Sequence, residues 1–138
     1  MNFNGSILLV DDEPHIRKFI SLLLRHLGVK TIFEAKNGDE ALEVYQREKA
    51  DLVLLDVNMP VMDGIDTLRG LKKINPDCVV VMLTSLANRQ TIDAAAKHGA
   101  SNYIRKDAPF EEIGRALAET IDTCFEPEGP DAGAPPAP

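Results

Sequence analysis

The chain has 138 residues, with 22 Asp+Glu against 15 Lys+Arg and a net charge of −7, a length that suits one domain of roughly 100–200 residues. Hydrophobic residues at 44% and charged residues at 27% are ordinary globular values, and a chain of this size buries about two-thirds of its surface, so neither a structural metal nor disulfides are required. The acidic balance argues against nucleic acid as the main partner; no apolar run approaches the ~18 residues of a membrane span and no basic-then-apolar leader precedes the first one, so the expectation is a cytoplasmic protein without membrane insertion.

Along the chain, short apolar runs alternate with amphipathic stretches. Ile7-Leu8-Leu9-Val10 is the first run. Ile16, Phe19, Ile20, Leu23, Leu24 and Leu27 then follow helical spacing, with Gly28 where a C-terminal cap belongs. Thr31-Ile32-Phe33 is the second run. Asn37 can cap the helix after it, whose apolar face is Ala41, Leu42 and Tyr45. Leu52-Val53-Leu54-Leu55 is the third run, and Ile65, Leu68 and Leu71 mark a helix ended by Asn75-Pro76. Cys78 to Leu83 is the fourth, followed by a helix using Ile92, Ala95 and Ala96 that stops at Gly99. Cys78 and Cys124 are the only cysteines; Cys78 opens an apolar run and reads as a small core residue. Tyr103-Ile104 is the fifth run. The last helix starts at Pro109, with Glu111 and Glu112 near its positive end and a face of Phe110, Ile113, Leu117 and Ile121.

Runs of this length, rich in branched side chains, read as strands, and continuous rather than alternating apolarity implies burial on both faces, as in a parallel sheet. Five β–α units with right-handed crossovers make a doubly wound α/β sheet with helices on both sides. Residues 126–138 (EPEGPDAGAPPAP) hold five of the nine prolines and three acids, with no basic and no large apolar residue. Such a segment cannot bury enough surface to offset its ordering entropy and is expected to be an extended tail of at most about 40 Å, leaving residues 1–125 as the folded domain.

In doubly wound sheets the active residues lie at the carboxyl ends of the strands. That rule selects Asp11-Asp12, Asp56, Thr84 and Lys106. If the first and third strands are neighbours, three carboxylates converge. Unit charges ~4 Å apart repel by about 1 kcal/mol in water and about 4 kcal/mol at an effective dielectric of 20. Such a site invites a hard cation; Mg2+ prefers one or two carboxylates, waters and phosphate oxygens, and a backbone carbonyl just past Asp56 can add a ligand. Thr84 supplies a hydroxyl and Lys106 an ammonium, which with a divalent cation are the groups needed to hold three phosphoryl oxygens. A carboxylate can be the nucleophile and form an acyl phosphate.

The segments ILLVDDEP (7–14), LVLLDVNMPVMDG (52–64), VVMLTS (80–85) and YIRKDAPF (103–110) closely resemble the receiver domain of bacterial two-component response regulators, in its stand-alone, chemotaxis-regulator-like form, over about residues 5–125. The resemblance implies a flavodoxin-like fold with a five-stranded sheet in the order 2-1-3-4-5. It implies Asp56 as phosphoacceptor, Asp12 as a direct Mg2+ ligand (Mn2+ being the alternative ion) and Asp11 as one acting through water. The backbone carbonyl of Asn58 completes the protein ligands. Thr84 senses the phosphoryl group and Lys106 pairs with it and, before phosphorylation, with Asp56. Tyr103 matches the aromatic position that turns inward when the hydroxyl moves, and Met59-Pro60 and Gly64 shape the loop after the acceptor.

The implied function is a single-domain switch. A sensor histidine kinase or a histidine phosphotransfer protein donates the phosphoryl group, the domain catalyses only its own modification, and the surface of the fourth helix, fifth strand and fifth helix changes for a downstream protein, or the domain serves as a phosphate shuttle or sink. With 13 residues after position 125, no output domain is expected to follow. Three departures stand out. Asp107-Ala108 separate Lys106 from Pro109, where many receivers place proline directly after the lysine. Ser85 replaces a frequent alanine. Asn58 and Leu86 occupy positions that tune phosphoryl lifetime. The rival readings are an Asp- and Mg2+-dependent phosphatase on external substrates and a receiver-like binding module indifferent to phosphate. Phosphatases of the haloacid type want the nucleophile on the first strand with a second Asp two residues on, whereas Asp11 is followed there by Glu13. His15, His26 and His98 have no ligand spacing, and no glycine-rich nucleotide loop occurs.

Overall fold

The computed structural model describes residues 3–57, 63–85 and 89–125. Ten elements alternate in chain order: β1 (Ser6–Val10), α1 (Pro14–His26), β2 (Thr31–Ala35), α2 (Gly38–Glu48), β3 (Leu52–Asp56), α3 (Gly64–Ile74), β4 (Val80–Thr84), α4 (Arg89–Lys97), β5 (Asn102–Arg105) and α5 (Phe110–Phe125). The five strands form one parallel sheet in the order β2-β1-β3-β4-β5. This is the flavodoxin-like doubly wound fold that the alternation and the resemblance imply.

The unbroken apolarity of the strands has a direct structural cause. Leu8, Val10, Val53, Leu55 and Met82 point to one face, where Ala41, Val44 and Tyr45 of α2, Leu68 and Leu71 of α3 and Ala95 of α4 cover them. Their neighbours Ile7, Leu9, Leu52, Leu54, Val81 and Leu83 point to the other, under Ile20, Leu23 and Leu24 of α1 and Ile113, Leu117 and Ile121 of α5. Side chains alternate across a strand, so a strand buried on both sides must be apolar at every position. The edge strands β2 and β5 are covered on fewer positions, which is why their runs read shorter in the sequence than the strands prove to be.

Local signals place the helix ends. Asn37 caps α2 by accepting from the Glu40 amide at 2.8 Å. Asp63 does the same for α3, accepting from Asp66 at 2.9 Å. Gly28 follows α1 with φ of 103°, a left-handed conformation that a side chain would strain. Cys78 is buried against the α2–α3 layer just before β4.

Three expectations about helix faces need correction. Phe110 is not on the buried face of α5; it is 57% exposed and its ring lies against Phe19 of α1, with centroids 5.4 Å apart. It is the first residue of α5, five positions past the last residue of β5. Ala96 is exposed, and Ala95 alone is buried on α4. On α2, Val44 takes the buried place expected of Leu42, which is only partly covered. The expected tail, 126–138, lies outside the described residues, as do Asn58, Met59-Pro60 and Leu86.

Candidate functional site

Strand register builds the site. Val10 lies opposite Leu55 in the β1–β3 pair, so Asp11 and Asp56 leave neighbouring strands side by side. Asp56 lies opposite Leu83 and Thr84 opposite Arg105, which brings Thr84 and Lys106 to the same end of the sheet. The β1–β3 junction is where the order of crossovers reverses, and in such sheets that crevice is the ligand site.

Asp11 and Asp56 are 0% and 1% exposed. Burying a carboxylate is costly unless it is paired, and Lys106 provides the pairing. Its Nζ lies 2.9 Å from Asp11 Oδ2 and 3.1 Å from Asp56 Oδ1, with Glu13 Oε1 at 3.7 Å. Burial alone pulls the Lys106 ammonium down, but the hydrogen bond it donates to Asp11 and the charges of Asp56 and Asp11 outweigh it, and its pKa stands above the ordinary lysine value. The Lys106 backbone is held as well: its amide donates to the carbonyl of Thr84 at 2.8 Å. Thr84 itself is 2% exposed.

One carboxylate oxygen from each of Asp11, Asp12 and Asp56 lies within 4.8 Å of the others. Three carboxylates and one ammonium leave a formal charge of −2, which a single divalent cation cancels. An all-oxygen donor set fits a hard ion such as Mg2+. Asp12 is only partly buried, and it is the acid most open to an arriving ion. The third expected type of ligand, the Asn58 carbonyl, lies outside the described residues.

Val57, just after β3, and Gly64, at the start of α3, are held by backbone contacts. The Val57 amide donates to the Leu83 carbonyl at 3.0 Å, and the Gly64 amide to the Val57 carbonyl at 2.8 Å. A Cβ at Gly64 would lie 2.7 Å from Val57 Cα and still closer to the Asp56 carbonyl oxygen. Only glycine lets α3 begin this near the end of β3.

Sequence reasoning missed three sets of contacts. Glu13 donates its amide to Asp11 Oδ1 at 3.0 Å. Arg17 donates through Nη1 to the Asp11 carbonyl at 2.7 Å and pairs through Nε with Glu34 at 3.2 Å. Its signal was visible: an arginine in the second turn of a helix whose first turn has no acid is poorly placed for the helix dipole, so another contact must hold it there. Third, Arg105 and Asp107 grip each other across Lys106, Nε to Oδ1 at 3.0 Å and Nη2 to Oδ2 at 2.8 Å, in the stretch where proline is displaced to position 109. Among the described residues every peptide bond is trans.

Tyr103 is 40% exposed on β5. A notch of about 230 Å³ lies beside it, lined in part by Ile92, Ala95, Ala96 and Ala100.

The family model described as the response regulator receiver domain matches residues 7–118. The chain belongs to the response regulator receiver domain family. Receiver relatives include the chemotaxis protein CheY-3 of Vibrio cholerae, 38% identical over 128 residues covering 91% of this chain and 95% of that one. The sporulation initiation phosphotransferase F of Bacillus subtilis is 35% identical over 118 residues, covering 86% and 94%. Among solved structures, the CheX–CheY–BeF3–Mg complex from Borrelia burgdorferi superposes with a TM-score of 0.80 at 26% identity, covering 88% of this chain and 90% of that one. As a receiver domain the chain is a signalling module. Among its described residues no helix is long and apolar enough to cross a membrane.

Proposed function

We propose that this receiver domain is a phosphorylation-dependent switch that takes a phosphoryl group onto Asp56 from a histidine kinase or a histidine phosphotransfer protein. The observation that carries the proposal is the position of Lys106 Nζ between Asp11 and Asp56 at the β1–β3 crevice. One Asp56 oxygen attacks the phosphorus of a phosphohistidine. The O–P bond forms as the N–P bond breaks; the electron pair stays on the imidazole nitrogen, and Asp56 becomes an acyl phosphate. Phosphoryl transfer of this kind depends mainly on positioning and charge neutralisation. Lys106, already held between the two acids, passes from Asp56 to a phosphoryl oxygen while keeping Asp11. A bound Mg2+ or Mn2+, held by Asp12, Asp56 and the Asn58 carbonyl with Asp11 behind them, would supply the remaining neutralisation.

Phosphorylation adds about −1.5 to −2 charge and strong acceptor oxygens. Thr84, buried at the end of β4, donates to them. Tyr103 has an open notch on its α4 side into which its ring can turn, so the α4–β5–α5 surface would change for a downstream partner, or the domain would pass the group on. In this reading residues 1–125 are the signalling domain. The domain acts catalytically only on itself.

The test is to incubate the protein with Mg2+ and a small acyl phosphate and to measure its intact mass. The expected result is a gain of one phosphoryl group in wild type and none in Asp56→Asn. No gain in wild type, or a gain that persists in Asp56→Asn, overturns the assignment. Steady turnover of an external phosphate ester would favour the phosphatase reading instead, and normal signalling by Asp56→Ala the phosphate-indifferent one.

A further inference from the structure

We infer that Arg17 is a positioning residue for the divalent-cation site, acting through the peptide that joins Asp11 to Asp12. This deepens the proposed function, since it rests on the acid cluster binding a cation. The backbone of Asp11 is pinned on both sides: its amide donates to the Ala35 carbonyl at 3.1 Å, and its carbonyl accepts from Arg17 Nη1 at 2.7 Å. That carbonyl belongs to the same planar unit as the Asp12 amide. Holding its oxygen fixes the rotation of the plane and so the direction in which the Asp12 side chain leaves. The side chain of Asp11 is held separately, Oδ1 by the Glu13 amide and Oδ2 by Lys106. Asp12 has no comparable anchor among the described contacts and depends on the plane before it.

Arg17 can hold the plane because it is itself held. Its side chain is 18% exposed and is braced by Glu34 of β2 at 3.2 Å. The guanidinium thus ties α1, the edge strand and the β1–α1 loop to one carbonyl. A lysine has no planar fork and cannot serve both acceptors in this way.

A charge beside an acid cluster has an obvious rival effect, and its sign is opposite. Were Arg17 only a nearby positive charge, removing it would make the cluster more negative and tighten cation binding. If it positions Asp12, removing it loosens binding although the local charge becomes more favourable. Partners outside the metal's own ligands typically alter affinity by about 10–100-fold, and the opposing charge effect puts the expectation here at the lower end.

The experiment titrates the full chain with Mn2+ and reads the free ion by its electron paramagnetic resonance signal, for wild type, Arg17→Gln, Arg17→Lys and Glu34→Gln, with urea unfolding in chelator run in parallel. The expected result is roughly tenfold weaker binding for Arg17→Gln, comparable weakening for Arg17→Lys although its charge is kept, and a smaller loss in the same direction for Glu34→Gln. Glu34→Gln carries the test if either arginine variant fails to fold. Binding by the variants that is equal to or tighter than wild type overturns the positioning role and leaves the site standing. Absence of Mn2+ binding by wild type overturns the cation site and this inference with it.

Discussion

Two ion pairs sit one residue apart at the end of β5 and have nearly the same length. Lys106 meets Asp11 at 2.9 Å with side chains 8% and 0% exposed, whereas Arg105 meets Asp107 at 2.8 Å with side chains 53% and 43% exposed. Distance does not separate them; water does. In the inner pair both charges have lost their hydration, so each depends on the other and the penalty for removing one partner is large. In the outer pair each group can return to solvent, and such pairs add little to stability. On the proposed function the inner pair is where the domain holds its chemistry, whereas the outer one lies across the turn that carries Lys106.

The largest effect should come from breaking the inner pair. Lys106→Met leaves Asp11 and Asp56 facing each other in a buried crevice, and in chelator at neutral pH the loss should be about 3 kcal/mol by urea unfolding, near the lower end for a broken buried pair. Mg2+ should restore part of that loss, because it replaces the missing positive charge. The pH dependence follows from the raised Lys106 pKa. The pair's contribution is full below the ordinary lysine value of about 10.4 and is lost as pH rises through the higher folded value. Wild type in chelator should show that alkaline loss and Lys106→Met should lack it. Equal stability of the two proteins across the range would break the contrast drawn between the pairs.

A smaller effect is expected beside the pair rather than in it. Gly64→Ala places a Cβ against the Asp56 carbonyl and Val57 Cα. Backbone cannot yield as a flexible side chain does, so α3 or the end of β3 must shift, at about 1–3 kcal/mol. Because the displaced carbonyl belongs to Asp56, the proposed acceptor, phosphorylation by a small acyl phosphate should slow as well. Unchanged stability together with an unchanged rate would show that the crevice tolerates movement of its floor.

Most of the fold and the centre of the site were legible because they rest on local rules. Runs such as Leu52-Val53-Leu54-Leu55 announce a two-sided strand, and an acid directly after such a run, like Asp56, announces a strand-end site. The strand order was legible only through resemblance, since five β–α units of similar spacing do not by themselves say which strand lies in the middle. What escaped were contacts closed by tertiary geometry. Arg17 reads as one more charge on an amphipathic helix until Glu34 on β2 and the Asp11 carbonyl are beside it. Phe110 reads as core until its ring is found exposed against Phe19 of α1. The Arg105–Asp107 fork needs the turn at Lys106, a conformation that no periodicity records.

The fork gives the smallest effect and the most discriminating one, because it titrates at the opposite end of the scale from the inner pair. Hydrogen bonding to Arg105 holds the Asp107 carboxyl below its ordinary value, helped by the charge of Arg105 and opposed by slight desolvation. A depressed acid contributes stability above its unfolded pKa, about 3.9, and loses it as pH falls through the lower folded value. Because the pair is exposed, that contribution is small: at neutral pH Asp107→Asn should unfold with wild type within the error of a urea titration, and any difference between them should narrow below about pH 4. Phosphorylation separates shape from stability. If the fork sets the turn that aims Lys106, Asp107→Asn should slow modification of Asp56 by a small acyl phosphate by about two- to fivefold, the range that exposed pairs command. The exchanged variant with Arg105→Asp and Asp107→Arg should recover part of that rate. A rate indifferent to both changes would mean that the hydrogen bond from the Lys106 amide to Thr84 aims the ammonium unaided, and that an ion pair of ordinary length has, when fully wet, no consequence for its buried neighbour.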